Sequence, residues 1–437
     1  MTGTDDAFFE VLPWELDGNR ILLRYRSSMG DFTEVLTFPS DVTVSDKGRT
    51  IIDLLSLAAS VSYAKVLAPT TIHAPTFTVT DAAHRMFTSL FDEGMREFAV
   101  HNDLPLEKTF TLGSHHTVLP HTSASRAINE QSRIVIPIGA GRDSSVVASA
   151  LQSMKPLLLS VGENIYAQRI AERLHLHLVT IGRTIDPFLL ELNSGGARNG
   201  HIPITAITSL IALLYATMTD SDAVVMANEY SASEPTRHVG DIEINHQYSK
   251  SLHFETLLRE ALQTHGVTTQ YFSALRDKRD ADIARVFSTH CEDLHSSFMS
   301  CNQAMLRDPK KRSNGWCCSC AKCRSVFLSM APYSDPQHLT HIFGVDLLDK
   351  ADQLEGFREL IDVSKKPFEC VGEILSARES LLQLQTPSLW MNHHVVQHLC
   401  DELSTLSSQN TEVASTHTKE HFIPDSIHRA IEEFFRT

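Results

Sequence analysis

The 437-residue sequence has no long apolar run; its longest, near Leu210 to Met218, is too short to span a bilayer. It has no excess of positive charge. Its 38 Lys and Arg stand against 53 Asp and Glu, a net charge of −15, which argues against nucleic acid or an anionic membrane surface as the main partner. There is no GKS or GKT, hence no Walker A motif, and no Rossmann fingerprint. The opening MTGTDDAFFEVLPWE is acidic and lacks the basic start and apolar core of a secretory leader, so a cytoplasmic location is expected. Internal repeats are absent. Cysteine is scarce and uneven: four of the eight fall between Cys317 and Cys323, which points to metal rather than disulfides. What remains is 42% apolar, enough for real cores, and long enough for two or three domains.

The chain is organised around Arg133 to Leu151, RIVIPIGAGRDSSVVASAL. Ile134 to Ile138 is a short unbroken apolar run, as suits a strand covered on both faces. The turn Gly139-Ala140-Gly141 follows, then Arg142, Asp143, Ser144 and a helix-periodic segment. A strand, a bare turn and a helix start form an anion site, because backbone N–H groups and the helix N-terminus face the same point. Asp143 would repel phosphate directly, but it fits if magnesium lies between them.

Residues 1–125 read as an N-terminal α+β domain. A hairpin is expected from Arg20–Tyr25 and Phe32–Phe38 around Met29-Gly30-Asp31, with helices over Thr50–Leu67 and Asp81–Val100. Gly113 to Ser125, with His115, His116 and His121, reads as a polar linker. Residues 130–332 alternate strand and helix, as a doubly wound, mainly parallel sheet would. Strands are expected at Pro156–Val161, His175–Ile181 and Asp222–Ala227, and helices at Glu163–Leu174, Pro203–Met218 and Leu252–His265. Residues 333–437 read as a helical C-terminal region, with helices at Leu347–Ile361, Phe368–Leu384 and Asp425–Phe435 and a polar stretch at Ser404–Glu420. His394 and His398 lie four apart and read as a surface pair.

In open α/β sheets ligands bind at the carboxyl edge. Three polar loops fall there: Asn199-Gly200-His201, Asn228 to Ser233, and Glu243 to Ser251. The last brings Asn245, His246, Gln247 and Lys250 together, a set able to bind carboxylates and phosphates and to move protons. The strongest chemical signal is Cys317-x2-Cys320-x2-Cys323, with Cys301 available to complete a tetrahedral, structural zinc site. An iron–sulfur cluster or free thiols are the alternatives. Cys318 is then a spare thiol, and Cys291, Cys370 and Cys400 read as isolated core cysteines.

The glycine turn resembles the SGGxDS loop of the N-type ATP pyrophosphatases, with Gly139 where that family usually has Ser and Ala140 where it usually has Gly. Followed by a four-cysteine knuckle, it is similar to the branch containing 7-cyano-7-deazaguanine synthase. Three longer stretches narrow the resemblance: Asn199 to Ile207, Met226 to Ser233, and Ile244 to Ser251. Cys301-Asn302-Gln303-Ala304, Trp316-Cys317 and Lys322-Cys323-Arg324 complete it. Together they look like the UDP-N-acetylmuramoyl-L-alanyl-L-glutamate epimerase family (MurL). The likeness covers residues 130–332 by motif and the flanking regions more loosely. Arg142 and Tyr230 stand where the family pattern has Lys and Arg.

The resemblance implies a PP-loop ATP pyrophosphatase-like fold. It also implies an isomerase that inverts the terminal L-glutamate of UDP-MurNAc-L-Ala-L-Glu through an acyl-adenylate. The cofactors would be ATP, Mg2+ and a structural Zn2+, with AMP and diphosphate released. Gly139, Ala140, Gly141, Arg142, Asp143 and Ser144 would hold the phosphates, with Asp143 on magnesium and Arg142 on the leaving diphosphate. His201, His246, Lys250 and Glu229 become the candidates for catalysis. Asn228, Ser231, Asn245 and Gln247 would bind substrate, and Cys301, Cys317, Cys320 and Cys323 zinc. The upstream partner would be a ligase adding L-glutamate to UDP-MurNAc-L-Ala. Rival readings are an amide- or nitrile-forming ligase like the deazaguanine synthase, a tRNA-modifying pyrophosphatase, and a non-catalytic zinc-bearing interaction protein.

Overall fold

Ten strands hydrogen-bond into one sheet. They are β1 (Phe9–Asp17), β2 (Arg20–Ser27), β3 (Gly30–Thr37), β4 (Thr71–Thr80), β5 (Thr111–Thr117), β6 (Ile134–Pro137), β7 (Leu157–Val161), β8 (Leu178–Thr184), β9 (Ala223–Met226) and β12 (Gln270–Ser273). A separate short hairpin is formed by β10 (Arg237–Val239) and β11 (Ile242–Ile244). The structure, a computed structural model, describes residues 7–106, 111–117, 126–306, 309–385, 388–406 and 420–436.

The order across the sheet is β12-β9-β6-β7-β8-β3-β2-β1-β4-β5. From β12 to β8 every pairing is parallel. The sheet continues through the antiparallel β8–β3 pair into the meander β3–β2–β1, and β1 and β4 add parallel partners beyond it. The protein is therefore of α/β class with a mixed, mostly parallel sheet. The strands of residues 9–117 and those of residues 134–273 share that sheet.

Side chains alternate across each strand, so the sheet separates two cores. Val135, Leu159 and Val224 join one core with the helices Asp46–Ala59 and Ile204–Met218. Ile134, Ile136, Leu158 and Val225 join the other with the helices Asp280–His290 and Ala321–Met330 and the C-terminal helices. The unbroken apolar run of β6 is the consequence: it must be apolar on both faces.

Several elements differ from expectation. Strands β1, β4, β5, β10, β11 and β12 are additions. Residues 113–117 of the expected linker form β5, paired along β4, with His115 and His116 in the ladder; His121 lies outside the described residues. β8 starts later than expected because His175 takes a left-handed turn (φ 52°) after the preceding helix. The helix over 81–100 breaks into Asp81–Asp92 and Arg96–His101, with a 3-10 turn at Glu93–Met95, where Gly94 lies against Pro203. In the C-terminal region the helices are Pro336–Phe343, Leu354–Ile361, Ile374–Gln385, His394–Leu406 and Asp425–Arg436. Residues 407–419 of the polar stretch lie outside the described residues. Among the described residues no helix is long and apolar enough to cross a membrane.

Candidate functional site

β6 is the first strand of the parallel half in the chain. β7 and β8 are added on one side of it, β9 and β12 on the other. The strand order therefore reverses between β6 and β9, and the loops after them diverge to leave a crevice. A cleft of about 430 Å³ lies there, lined by Gly139, Gly141, Arg142, Asp143 and Ser144 after β6 and by Ala227 and Asn228 after β9.

The turn's carbonyls are all taken by protein donors. Asn164 Nδ2 donates to Gly139 O (3.3 Å), Met299 N to Ala140 O (2.8 Å), and Ser145 Oγ to Gly141 O (2.8 Å). The N–H groups of Arg142, Asp143 and Ser144 open the helix Arg142–Ala150 and are those a helix start leaves without intrahelical partners. Among the described residues, no atom beyond Gly139 and its two chain neighbours lies within 4 Å of where a Cβ on Gly139 would stand, so the turn is bare on that side. Ala140 is fully buried and left-handed (φ 66°), a conformation that glycine takes without cost.

Arg142 is spent on the protein. Its guanidinium donates to Asp143 (3.0 Å), Ser329 (2.9 Å) and Asp280, and it is only 5% exposed. It thus braces Asp143 from behind as well as lining the cleft. Burial alone would raise the Asp143 carboxyl, but Arg142, Lys322 and Lys250 outweigh it and hold the group below the usual carboxylate range. Ser144 Oγ donates to Gly141 O at 3.2 Å.

The facing wall carries Lys250, Lys322 and Cys370. Lys250 Nζ donates to Gln247 Oε1 (3.0 Å) and to Cys370 Sγ (3.4 Å). Lys322 Nζ donates to the Cys370 carbonyl, and Lys322 N donates to Glu369 (3.2 Å). His246 pairs through Nδ1 with Glu97 and lies close enough to Cys370 for the two to shift each other's titration. Burial would raise the Cys370 thiol, but Lys250, His246 and Lys322 bring it down to about 5. Burial would lower His246, but Cys370 and Glu97 bring it up to about 9. The pair is therefore thiolate and imidazolium near neutrality.

The other expected site residues are placed as follows. His201 packs against His246 with ring centroids 4.2 Å apart and the rings tilted by 38°, and burial, His246 and Lys250 push it down to about 3, so it is neutral. Glu229 is buried and accepts from Ser231 N and Oγ; burial, then Asp280, raises it to about 8. Asn245 holds its own loop, donating to Ala232 O (2.9 Å) and accepting from Gln247 N (2.7 Å). Gln247 orients Lys250. The structure thus brings Gly139, Gly141, Arg142, Asp143, Ser144, Asn228 and Lys250 to one cleft, whose lining does not include His201, Glu229, Ser231 and Asn245.

Cys301, Cys317, Cys320 and Cys323 converge, their sulfurs within 4.8 Å of one another. Backbone N–H groups already point at these sulfurs: Cys317 N at Cys301 Sγ (3.3 Å), Ser319 N at Cys317 Sγ (3.5 Å) and Cys323 N at Cys320 Sγ (3.4 Å). Cys318 turns away, its thiol on Phe343 O (3.2 Å). The cluster reaches the cleft on two sides. Met299 and Ser300, just before Cys301, close over Ala140 and Gly141, and Lys322 lies between Cys320 and Cys323.

Two family models match the chain: the MurL N-terminal domain over residues 4–274 and the MurL C-terminal domain over residues 297–414. The chain belongs to the MurL family. Curated relatives agree with the models. A protein of Micromonospora sp. is 40% identical, covering 92% of this chain and 91% of that one. One from Salinispora tropica is 37% identical over 91% and 88%, and one from Xanthomonas oryzae pv. oryzae 33% over 86% and 84%. All three are named UDP-N-acetyl-alpha-D-muramoyl-L-alanyl-L-glutamate epimerase. No solved structure gives a significant match.

In this MurL chain the sequence reading missed three residues of the cleft's surroundings. Cys370, read as a core cysteine, instead lies in the cleft wall; no spacing motif marks it, and only the fold brings it to Lys250. Lys322 stands inside the knuckle spacing, and nothing in that spacing points to the cleft it lines. Arg276 is buried with Glu255 (2.8 Å) and donates to Glu229 O (3.1 Å) and Lys250 O (2.7 Å), so it fixes both loops behind the site. Its signal was an arginine right after the apolar run Tyr271–Leu275, where an unpaired charge would not be tolerated.

Proposed function

We propose that this chain inverts the terminal L-glutamate of UDP-MurNAc-L-Ala-L-Glu to D-glutamate, for peptidoglycan precursor synthesis. ATP would first convert the glutamate carboxylate to an acyl-adenylate, releasing diphosphate; AMP would leave when water cleaves the adenylate. The reading takes its substrate from the relatives' names. The observation that carries its chemistry is the cleft between β6 and β9, where a bare turn, a helix start and Asp143 face Lys250, Lys322 and Cys370. A PP-loop ATP pyrophosphatase-like arrangement of the parallel strands accords with that placement.

The α-proton beside a carboxylate is hard to remove, because removal sets two negative charges side by side. Conversion of the carboxylate to the acyl-adenylate, a mixed anhydride with AMP, removes one of them, and a side-chain base can then act. Gly139, Ala140, Gly141 and Ser144 would offer backbone and hydroxyl donors to the phosphates. Arg142, held by Asp280 and Ser329, would keep Asp143 ionised and aimed. Asp143, one-third exposed, would hold magnesium, which offsets phosphate charge when bound. Asn228 would hold substrate, while Gln247 keeps Lys250 in place. The four clustered thiols fit a structural zinc, and its binding would add to the stability of the folded chain. The division into residues 1–125, 130–332 and 333–437, the cytoplasmic location and an upstream L-glutamate-adding ligase belong to the same proposal.

The test is chiral analysis of glutamate after incubation with UDP-MurNAc-L-Ala-L-Glu, magnesium and ATP in heavy water, with and without ATP. ATP-dependent D-glutamate carrying α-deuterium, with AMP alongside, is the expected result. AMP without D-glutamate would move the chain to the ligase reading; neither product would sink both. Asp143→Ala should abolish AMP formation while leaving zinc content unchanged.

A further inference from the structure

We propose that Cys370 is the side chain that removes the substrate's α-proton, with His246 and Glu97 as its positioning residues. The assignment rests on the epimerase reading above and names the base that reading leaves open.

Four observations lead to it. Cys370 lines the same cleft as the glycine turn and Asp143, so a group activated there is within reach of its sulfur. Its thiol belongs to neither a disulfide nor the four-cysteine cluster. It stands in a line of three, Cys370–His246–Glu97, in which the acid fixes the imidazole and the imidazole faces the sulfur. Lys250 Nζ, 3.4 Å away, and Lys322 above its carbonyl add positive charge. The other expected bases fit less well. His201 is neutral but is not among the side chains that line the cleft. Lys250 is a cation here and serves as counter-charge to the sulfur.

The step balances without an added co-reactant. The α C–H bond breaks, its electron pair stays on the α-carbon and spreads into the activated acyl carbonyl, and an S–H bond forms on Cys370. A proton from water reaches the opposite face of the carbon, and the thiol's proton returns to solvent.

The experiment compares the full-length parent with Cys370→Ser in heavy water, following AMP and α-deuterated D-glutamate separately. General-base removal predicts a loss of about 100-fold or more in deuterium incorporation and D-glutamate, while AMP release continues. Retention of exchange within tenfold overturns the assignment. Loss of AMP and exchange together, in a variant with the parent's melting temperature and zinc content, also overturns it and makes Cys370 a binding residue. A substrate-derived mass adduct on Cys370 would make it a nucleophile and overturn it as well. A parent that forms no D-glutamate would sink the epimerase reading and this assignment with it. If Cys370→Ser does not fold, the parent is alkylated with iodoacetamide and the site mapped by mass spectrometry. Modification confined to Cys370 should stop exchange and spare AMP release; unchanged exchange refutes the proposal. Glu97→Gln should raise the pH needed to alkylate Cys370 at half its maximal rate, a shift that a merely structural Glu97 would not cause.

Discussion

Five cysteines lie on the two sides of Lys322, and their surroundings differ in kind. Cys301, Cys317, Cys320 and Cys323 face one another, with backbone N–H groups pointing at the sulfurs. Cys370 faces Lys250 and His246, with Lys322 Nζ on its carbonyl. Gathered thiolates need a cation from outside, and the first group fits a metal. A single thiolate can be offset by protein cations, and the second group supplies three. Sulfur that is surrounded by sulfur holds the wall in shape; sulfur that is surrounded by lysine and histidine is left free to react.

The sharpest way to break this comparison is to remove one member of the first group. Cys323→Ala should lose the metal and destabilise the protein by on the order of 5 kcal/mol or more, part of the roughly 10–16 kcal/mol that structural zinc contributes in small zinc domains. Zinc content and urea unfolding check it together. A variant of parental stability and metal content would show that the four thiols are a packing cluster. Cys370→Ser, by contrast, should leave zinc content unchanged.

The second wall is held by charge, so its counterpart is Arg276→Met. Arg276 is 2% exposed, pairs with the equally buried Glu255, and donates to the carbonyls of Glu229 and Lys250. Removing it strands the Glu255 carboxylate, which should cost about 3–5 kcal/mol. Because the loop bearing Lys250 would loosen, Cys370 should also lose its low-pH reactivity. A loss below about 1 kcal/mol would mean that water replaces the arginine.

The pH dependence sharpens the contrast further. Cys370 is held at about 5 against an ordinary 9.0, so its contribution to stability is full above 9 and is lost as pH falls through about 5. His246 is held at about 9 against 6.5, so its contribution is full below 6.5 and is lost as pH rises through about 9. From about pH 6.5 upward the two trends offset, because the folded pair and the unfolded chain then bind the same number of protons; the net loss sets in as pH falls below about 6.5 and is complete near 5. Alkylation of Cys370 should persist down to about pH 5. A half-maximal alkylation rate near pH 9 would mean that the surrounding cations do not reach the sulfur.

How far these features could be read from the chain follows the same division. β6, the turn and the helix after it were legible because local pattern dictates them: an apolar run, a bare turn, then helical period. The four cysteines were legible because knuckle spacing is local as well. β1, β4, β5 and β12 were missed, as were the short β10 and β11. β5 lies mostly in the stretch read as a polar linker, β4 breaks its alternation at Pro75 so that Ile72 and Ala74 are out of phase with Phe77 and Val79, and β12 has four residues, too few to show a period. Asp280 and Cys370 meet the site from far along the chain, and nothing local announces a contact that only the sheet creates. Gly372 shows the same point. It is left-handed (φ 75°) and a Cβ there would stand 2.9 Å from Asp280 Cγ, a requirement invisible until the loop is folded over Arg142.

The smallest expected effect tests how firmly the wall that carries the four cysteines holds the turn. Ala140 sits at φ 66° with Met299 N donating to its carbonyl, two residues before Cys301. A left-handed alanine costs roughly 1–2 kcal/mol. Ala140→Gly should recover that cost, but glycine gives the unfolded chain about 0.4–1 kcal/mol of extra entropy, and a buried methyl worth about 0.8 kcal/mol is lost. The terms nearly cancel, so stability should change by less than about 1 kcal/mol. Ala140→Val, with a branched Cβ in the same conformation, should cost clearly more. If Ala140→Gly instead destabilises by about 2 kcal/mol or more, the methyl is a packing element and the left-handed turn carries little strain. If both variants are neutral, the turn can adopt another conformation, and the wall ending at Cys301 does not hold it.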